Sequence, residues 1–210
     1  MEQTPRFDCG HLCLDFLATT HPEEQLDSPG GLRTWITAAR LVPDDTPLAH
    51  ITPHWLVDFR ELRGHIGQLV RDDPDRAPAP DRAPAPDRAP APDRAPDPRP
   101  FDLSLARVND LACAPVPAPR AVRTDDGTLT RVLDHTPDCA ALLALIARDT
   151  VELLTDPVAR TALRRCAGDN CPIVYVDTSR GRRRRWCSSE VCGNRERVAR
   201  HRRRAALARA

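Results

Sequence analysis

Four of the eight cysteines, Cys166, Cys171, Cys187 and Cys192, form two Cys-x4-Cys pairs separated by fifteen residues. Zinc in a structural site takes four ligands in a tetrahedron, and thiolates suit it. Two ligands from one tight turn and two from another close such a site with little chain. The spacing therefore predicts one structural Zn2+ held by four Cys ligands, and it dictates the path of the chain around them. Ala167-Gly168-Asp169-Asn170 fill the first turn, where Gly168 and Asn170 tolerate positive φ. Ile173–Val176 reads as a strand, Asp177–Gly181 as a turn, and Arg182–Trp186 as a returning strand. Ser188 then reads as a helix N-cap with Glu190 in the first turn, where negative charge is favoured. Residues five apart on an α-helix lie about 140° apart. Cys187 must therefore precede the helix, with Cys192 in its first turn, where helix amides favour thiolates. Knuckle, hairpin and helix together predict a treble-clef-like finger. The alternative, four reduced core cysteines, does not explain why all four bracket turns.

Charge is divided along the chain. Residues 1–159 carry 16 Arg against 26 acidic residues, a net of −10, whereas residues 160–210 carry 15 Arg against 4, a net of +11. Lys is absent throughout, so the preference for Arg carries no information, but the clustering does. Arg180, Arg182, Arg183, Arg184 and Arg185 surround the predicted hairpin turn. Beyond the last cysteine, Arg195, Arg197, Arg200, Arg202, Arg203 and Arg204 decorate a helix whose other face offers Val198, Ala199, Ala205 and Leu207. Two basic clusters flanking one metal core point to the phosphates of a nucleic acid. Asn194, Arg195 and Arg200 are candidates for base contacts, because Asn and Arg read adenine and guanine bidentately; Arg195 can equally hold the finger together. Against nucleic-acid binding stands a solvated tail that only aids solubility. Tyr175 and Trp186 read as filler for a small core rather than as stacking platforms.

The remaining chain predicts an α+β body. Leu12–Leu17 alternates as a short strand or a buried, turn-rich entry. Ser28-Pro29-Gly30-Gly31 is a turn before a helix over Leu32–Val42, with Leu32, Trp35, Ile36 and Ala39 on one face. Thr52 and Pro53 open a second helix, as N-cap and first residue, with a stripe of Leu56, Phe59, Leu62 and Ile66. A PDRAPA hexapeptide then repeats through residues 74–97. Its prolines remove backbone donors and exclude helix and sheet, so an extended, solvated insert is expected over 74–98. Leu103–Cys113 reads as a helix. Ala121–Arg123 and Leu129–Leu133 read as a hairpin around Asp126-Gly127, and Asp138 starts an apolar central helix. Asp156-Pro157 restarts a short helix leading into Cys166. The expected organisation is a mainly helical N-terminal domain over 1–160, interrupted by the insert, and a finger over 161–210.

No basic n-region followed by an apolar stretch opens the chain, so no signal peptide is expected. The most apolar run, Ala140–Ala147, is too short to span a bilayer. The expected location is cytoplasmic, without membrane contact. There, paired cysteines serve metals rather than disulfides.

Arg165–Arg204 (RCAGDNCPIVYVDTSRGRRRRWCSSEVCGNRERVARHRRR) resembles the CGNR zinc-finger family, named for Cys192-Gly193-Asn194-Arg195. GHLCLDFLATT near the N-terminus, Glu61-Leu62-Arg63, and the LLTDP run at Leu153–Pro157 resemble the ABATE domain that precedes this finger. Bacterial proteins of this build are described as stress-induced transcription regulators. The resemblance implies zinc at the four cysteines and DNA binding through the finger and tail. The chain departs from the pattern at the PDRAPA insert and at Ala18, where Asn is more usual.

A zinc-dependent, DNA-binding regulator is thus the expected function. An RNA-binding zinc protein is one alternative; a ligand- or protein-interaction protein with a purely structural finger is another. The N-terminal domain is expected to sense a small-molecule effector or to dimerise. Asp15, Trp35 and Arg63, with His11 and Arg33, are its candidate pocket residues, although Asp15 and Arg63 can equally form an internal ion pair. Cys9, His11 and Cys13 offer three ligands for a second metal, against the commoner reading of buried core cysteines. No nucleophile elbow, glycine-rich phosphate loop or HExxH pattern occurs, so no enzymatic activity is expected.

Overall fold

A computed structural model describes residues 5–71 and 99–207. The PDRAPA repeat lies outside the described residues. The body is built from helices α1 (Leu12–Ala18), α2 (Pro29–Ala38), α3 (Pro53–Arg71), α4 (Arg99–Ala112) and α5 (Cys139–Thr155). A hairpin of β1 (Pro119–Arg123) and β2 (Leu129–Leu133) connects α4 to α5. The finger region follows as α6 (Pro157–Ala162), β3 (Leu163–Arg165), β4 (Val174–Val176), a wide helical turn at Ser189–Gly193, and α7 (Asn194–Leu207).

Local chemistry explains most boundaries. Ser28 caps α2 by accepting from the Gly31 amide, with Pro29 at the first helical position. Asp138 caps α5 through the Ala141 amide, and Asp156 caps α6 through the Val158 amide. β1 and β2 pair antiparallel with Val122 opposite Thr130, and the Gly127 amide closes the turn on Thr124 O.

α5 lies centrally, packed on α1, α3 and α4. Leu142, Ile146, Ala147 and Leu153 are fully buried along it. Phe16 of α1 joins Trp35 of α2 and Phe59 of α3, with ring centroids 5.0 and 6.0 Å apart. Such tilted and edge-on pairs suit the aromatic quadrupole. Burial continues from this core into Ile173, Tyr175, Cys187 and Cys192, so body and finger share one apolar interior. Among the described residues, no helix is long and apolar enough to cross a membrane.

Three expectations are corrected. Pro29-Gly30-Gly31 is the first turn of α2 rather than a turn before it, because Ser28 caps the Gly31 amide, and the helix ends at Ala38 rather than Val42, with Arg40 at a φ of 55°. Leu12–Ala18 is a helix, neither strand nor turn. Arg182–Trp186 is not a strand; β4 pairs instead with β3, Leu163 opposite Val176 and Arg165 opposite Val174. The other side of β4 is taken by the N-terminal segment, where the Val176 amide donates to Cys9 O at 2.8 Å. Arg182 also adopts a φ of 47°, which interrupts any extended run.

Candidate metal centre and nucleic-acid interface

The β3–β4 pair brackets the first knuckle. Its turn is closed by the Cys166 amide on Ile173 O and the Cys171 amide on Gly168 O. Asn170 takes the expected left-handed conformation, at a φ of 58°. Gly168 does not. It is needed for room, because a Cβ there would lie 3.3 Å from Cys192 Cβ and 3.5 Å from Cys166 Sγ.

The second pair is set by the wide helical turn. Ser188 Oγ accepts from the Glu190 and Val191 amides, and the Gly193 amide reaches back five residues to Ser188 O at 2.9 Å. That wider turn brings Cys192 beside Cys187, which precedes it, as a regular α-helix would not.

All four Sγ atoms lie within 4.8 Å of one another. Cys171–Cys187 and Cys187–Cys192 Sγ separations are 3.7 and 3.6 Å. A tetrahedron with Zn–S bonds of 2.3 Å has edges of about 3.8 Å, so these two edges stand at the spacing zinc imposes and the others lie within reach of it. Backbone amides support the cluster: Gly168 N and Cys187 N donate to Cys166 Sγ at 3.4 and 3.2 Å. Donation from Cys171 and Cys187 draws the Cys166 thiol far below the usual range. The reciprocal bond pushes Cys171 far above it, and burial raises Cys192 to about 11. Sulfurs this close compete for protons; a divalent cation removes that competition by holding all four as thiolates. The residues fit zinc, and Cys166, Cys171, Cys187 and Cys192 form its structural site.

The arginines divide into two kinds. Arg180, Arg182, Arg183 and Arg185 are exposed around the Ser179–Arg185 loop, and Arg195, Arg197, Arg200, Arg202, Arg203 and Arg204 are exposed on α7. Arg184 is half-buried and engaged internally. Its guanidinium donates to Trp186 O, Cys187 O and Asp8 O and lies 4.4 Å from the Tyr175 ring centre. Its backbone is held as well, the amide by Asp177 and the carbonyl by Tyr175 Oη. Tyr175 is fully buried, as core filler. On α7, Arg197 donates to Asn194 Oδ1 and Arg203 pairs with Glu196. A cleft lined by Arg183, Arg185, Trp186, Ser188, Ser189 and Glu190 opens beside the metal centre.

The structure does not bring the candidate pocket residues into one site. Asp15 accepts from the Cys9 amide at 2.9 Å. Arg63 forks onto Glu24 and also donates to Thr19 Oγ1. The Asp15–Arg63 pair is therefore not formed. Trp35 is buried in the aromatic cluster, with no hydrogen-bond partner for Nε1 among the described residues. A separate cleft between α3, α4 and α5 is lined by Asp58, Glu61, Leu62, Arg107, Leu111 and Cys139. Cys9, His11 and Cys13 do not form one ligand set: Cys13 is buried in the core and His11 Nδ1 meets Asp149 at 3.1 Å. A different close set, Asp8, Cys9 and Asp15, is occupied internally, with Asp8 on Arg6 and Asp15 on the Cys9 amide.

Arg6, Asp8 and Asp149 are neighbours of these residues that sequence reasoning missed. Arg6 Nη2 donates to Cys187 Sγ at 3.5 Å across 181 positions of sequence, a contact no local pattern announces.

Two family models match the chain. The ABATE model, described as "Putative stress-induced transcription regulator", matches residues 10–157, and the CGNR zinc finger model matches residues 162–205. No curated protein matches the chain.

Proposed function

The chain belongs to the ABATE family and ends in a CGNR zinc finger, and from that premise we propose that it is a zinc-dependent, DNA-binding transcription regulator. The observation that carries this reading is the pair of exposed arginine sets flanking one metal core. Arg180, Arg182, Arg183 and Arg185 line one flank, and Arg195, Arg197, Arg200, Arg202, Arg203 and Arg204 the other. Arg184 holds the first flank in place from beneath. Arg183, Arg184 and Arg185 open onto the cleft with Trp186, Ser188 and Ser189, a cationic lining that outnumbers its two carboxylates, Asp8 and Glu190. Asn194, Arg195 and Arg200, exposed on α7, are the candidates for base contacts, Asn194 through its free amide group since its Oδ1 accepts from Arg197.

The division at 160/161 separates an acidic input module from this basic output module. The cleft between α3, α4 and α5 supports a role for the input module in taking a small effector, and binding rather than catalysis is its task.

Salt titration tests the proposal. With about six phosphate contacts, log K for duplex DNA falls against log salt with a slope of about −5. The measurement is fluorescence anisotropy of the zinc-loaded full chain with duplex DNA and with structured RNA. Tighter binding to duplex DNA with that slope, lost on deleting residues 193–210, is the expected outcome. A flat salt response overturns it in favour of a structural finger, and preference for structured RNA overturns the choice of DNA.

A further inference from the structure

We infer that Arg6 is a working part of the zinc centre: its guanidinium lies against the Cys187 thiolate and governs how firmly the metal is held. Arg6 and Asp8 precede both family matches, at 10–157 and 162–205, so neither match assigns them a role.

The geometry is specific. Arg6 Nη2 lies 3.0 Å from both Asp8 carboxylate oxygens and 3.5 Å from Cys187 Sγ. The Arg6 side chain is only 19% exposed. Three further contacts fix the segment that carries it. Arg184 Nη2 donates to Asp8 O at 3.1 Å, the Val176 amide donates to Cys9 O, and Gly10 packs on Val176. At Gly10 the φ is +93° and a Cβ would come within 3.2 Å of Val176 Cβ, so only glycine lets the segment lie this close.

The chemistry follows from charge. Four thiolates on one divalent ion leave a net charge of −2 at the centre. Cys166 receives two amide donors, from Gly168 and Cys187, but Cys187 Sγ receives a cationic one. A charge-assisted donor withdraws electron density from the sulfur and makes it a poorer nucleophile and a poorer base. It also occupies one side of the sulfur, at 3.5 Å, where a proton or a competing ligand would otherwise have room. Groups that support metal ligands in this way change affinity by about 10- to 100-fold when removed.

The test uses the zinc-loaded full chain and does not depend on nucleic-acid binding. Zinc transfer to a chromogenic chelator is timed for wild type, Arg6→Met, Arg6→Lys and Asp8→Asn. We expect Arg6→Met to release zinc about tenfold faster, Arg6→Lys to recover part of that loss, and Asp8→Asn to fall between wild type and Arg6→Met. Cobalt(II) substitution supplies a readout that packing alone does not move. Without the guanidinium the sulfur holds its electrons less tightly, so the thiolate-to-cobalt charge-transfer band of Arg6→Met shifts to longer wavelength. Release within twofold of wild type overturns the inference. Faster release with an unmoved cobalt band also overturns it, because Arg6 would then be a structural strut. Should Arg6→Met fail to fold, Asp8→Asn and Arg6→Lys give the same two readouts.

Discussion

Asp15 illustrates how a single polar residue in this core sets a pH dependence. Its carboxylate is almost wholly enclosed and accepts one backbone bond, from Cys9. Burial raises its pKa from 3.8 to about 6, partly opposed by the Cys9 hydrogen bond. A carboxyl whose folded pKa exceeds its unfolded value stabilises the fold when protonated, and that contribution is lost as pH rises through the folded value. Asp15→Asn keeps an acceptor for the Cys9 amide and removes the charge. We therefore expect Asp15→Asn to melt higher than wild type at pH 7.5, with the advantage shrinking to nothing between pH 6 and pH 4. The difference in Tm is followed across pH on samples whose bound zinc is verified at each pH, because loss of the ion also loosens α1 around Asp15. A constant difference would exclude titration of Asp15 as its source. Arg184 teaches a related lesson. In the run Arg182–Arg185 nothing in the sequence separates it from its neighbours. Only the fold places it over Tyr175 and under the carbonyls of Asp8, Trp186 and Cys187.

At the scale of elements, α1 matters most because it joins body to finger. Its N-cap residue, His11, supplies no side-chain cap. The missing acceptor comes instead from α5: Asp149 Oδ2 takes the Cys13 amide at 2.7 Å, and Oδ1 meets His11 Nδ1. Asp149→Ala should cost about 2 kcal/mol, the range for a lost cap with a charged acceptor. Urea unfolding of the zinc-loaded protein measures it, and a change under about 0.5 kcal/mol would mean that water replaces the cap. This long-range cap is also why α1 was illegible. Cys13, Leu14, Asp15, Phe16 and Ala18 are all buried, so neither a helical nor a strand period stands out, and the capping residue is 136 positions away. Elements with local signals were legible: Asp138 and Asp156 cap the helices that follow them, and the Asp126-Gly127 turn joins β1 to β2, whereas the two glycines after Ser28-Pro29 masked the true start of α2. The four metal ligands were equally legible, because their spacing and turn residues are contiguous information. The strand partner of β4 was not. Both of its sides are claimed by distant or preceding chain, at Cys9 and at Leu163–Arg165, which leaves none for Arg182–Trp186.

Across the whole molecule, these contacts make the metal a support for the N-terminal entry as well as for the finger. Zinc binding in a small module is folding energy, so removing the ion releases β4, the wide turn and the start of α7. β4 holds Cys9 through Val176, and Arg184 holds Asp8. Cys9 in turn donates to Asp15 inside α1. The large helices have their own anchorage, since α3, α4 and α5 pack mainly on one another. Chelation should therefore leave most of the helical circular dichroism in place while hydrogen exchange accelerates selectively in two places. One is the finger, read at the Cys166 and Val176 amides; the other is α1, read at Leu14 and Asp15, whose amides close on His11 O. Amides in the middle of α5 serve as the internal standard, because Ile146 and Thr150 are fully buried. Protection retained in α1 after chelation would show that the entry helix is held by α5 alone. Protection lost there and kept in α5 would make the zinc centre a physical route by which events at the basic surface reach the acidic body, because the segment between them meets both: Arg6 lies on Cys187, Cys9 on Val176 and Asp15, and His11 on Asp149.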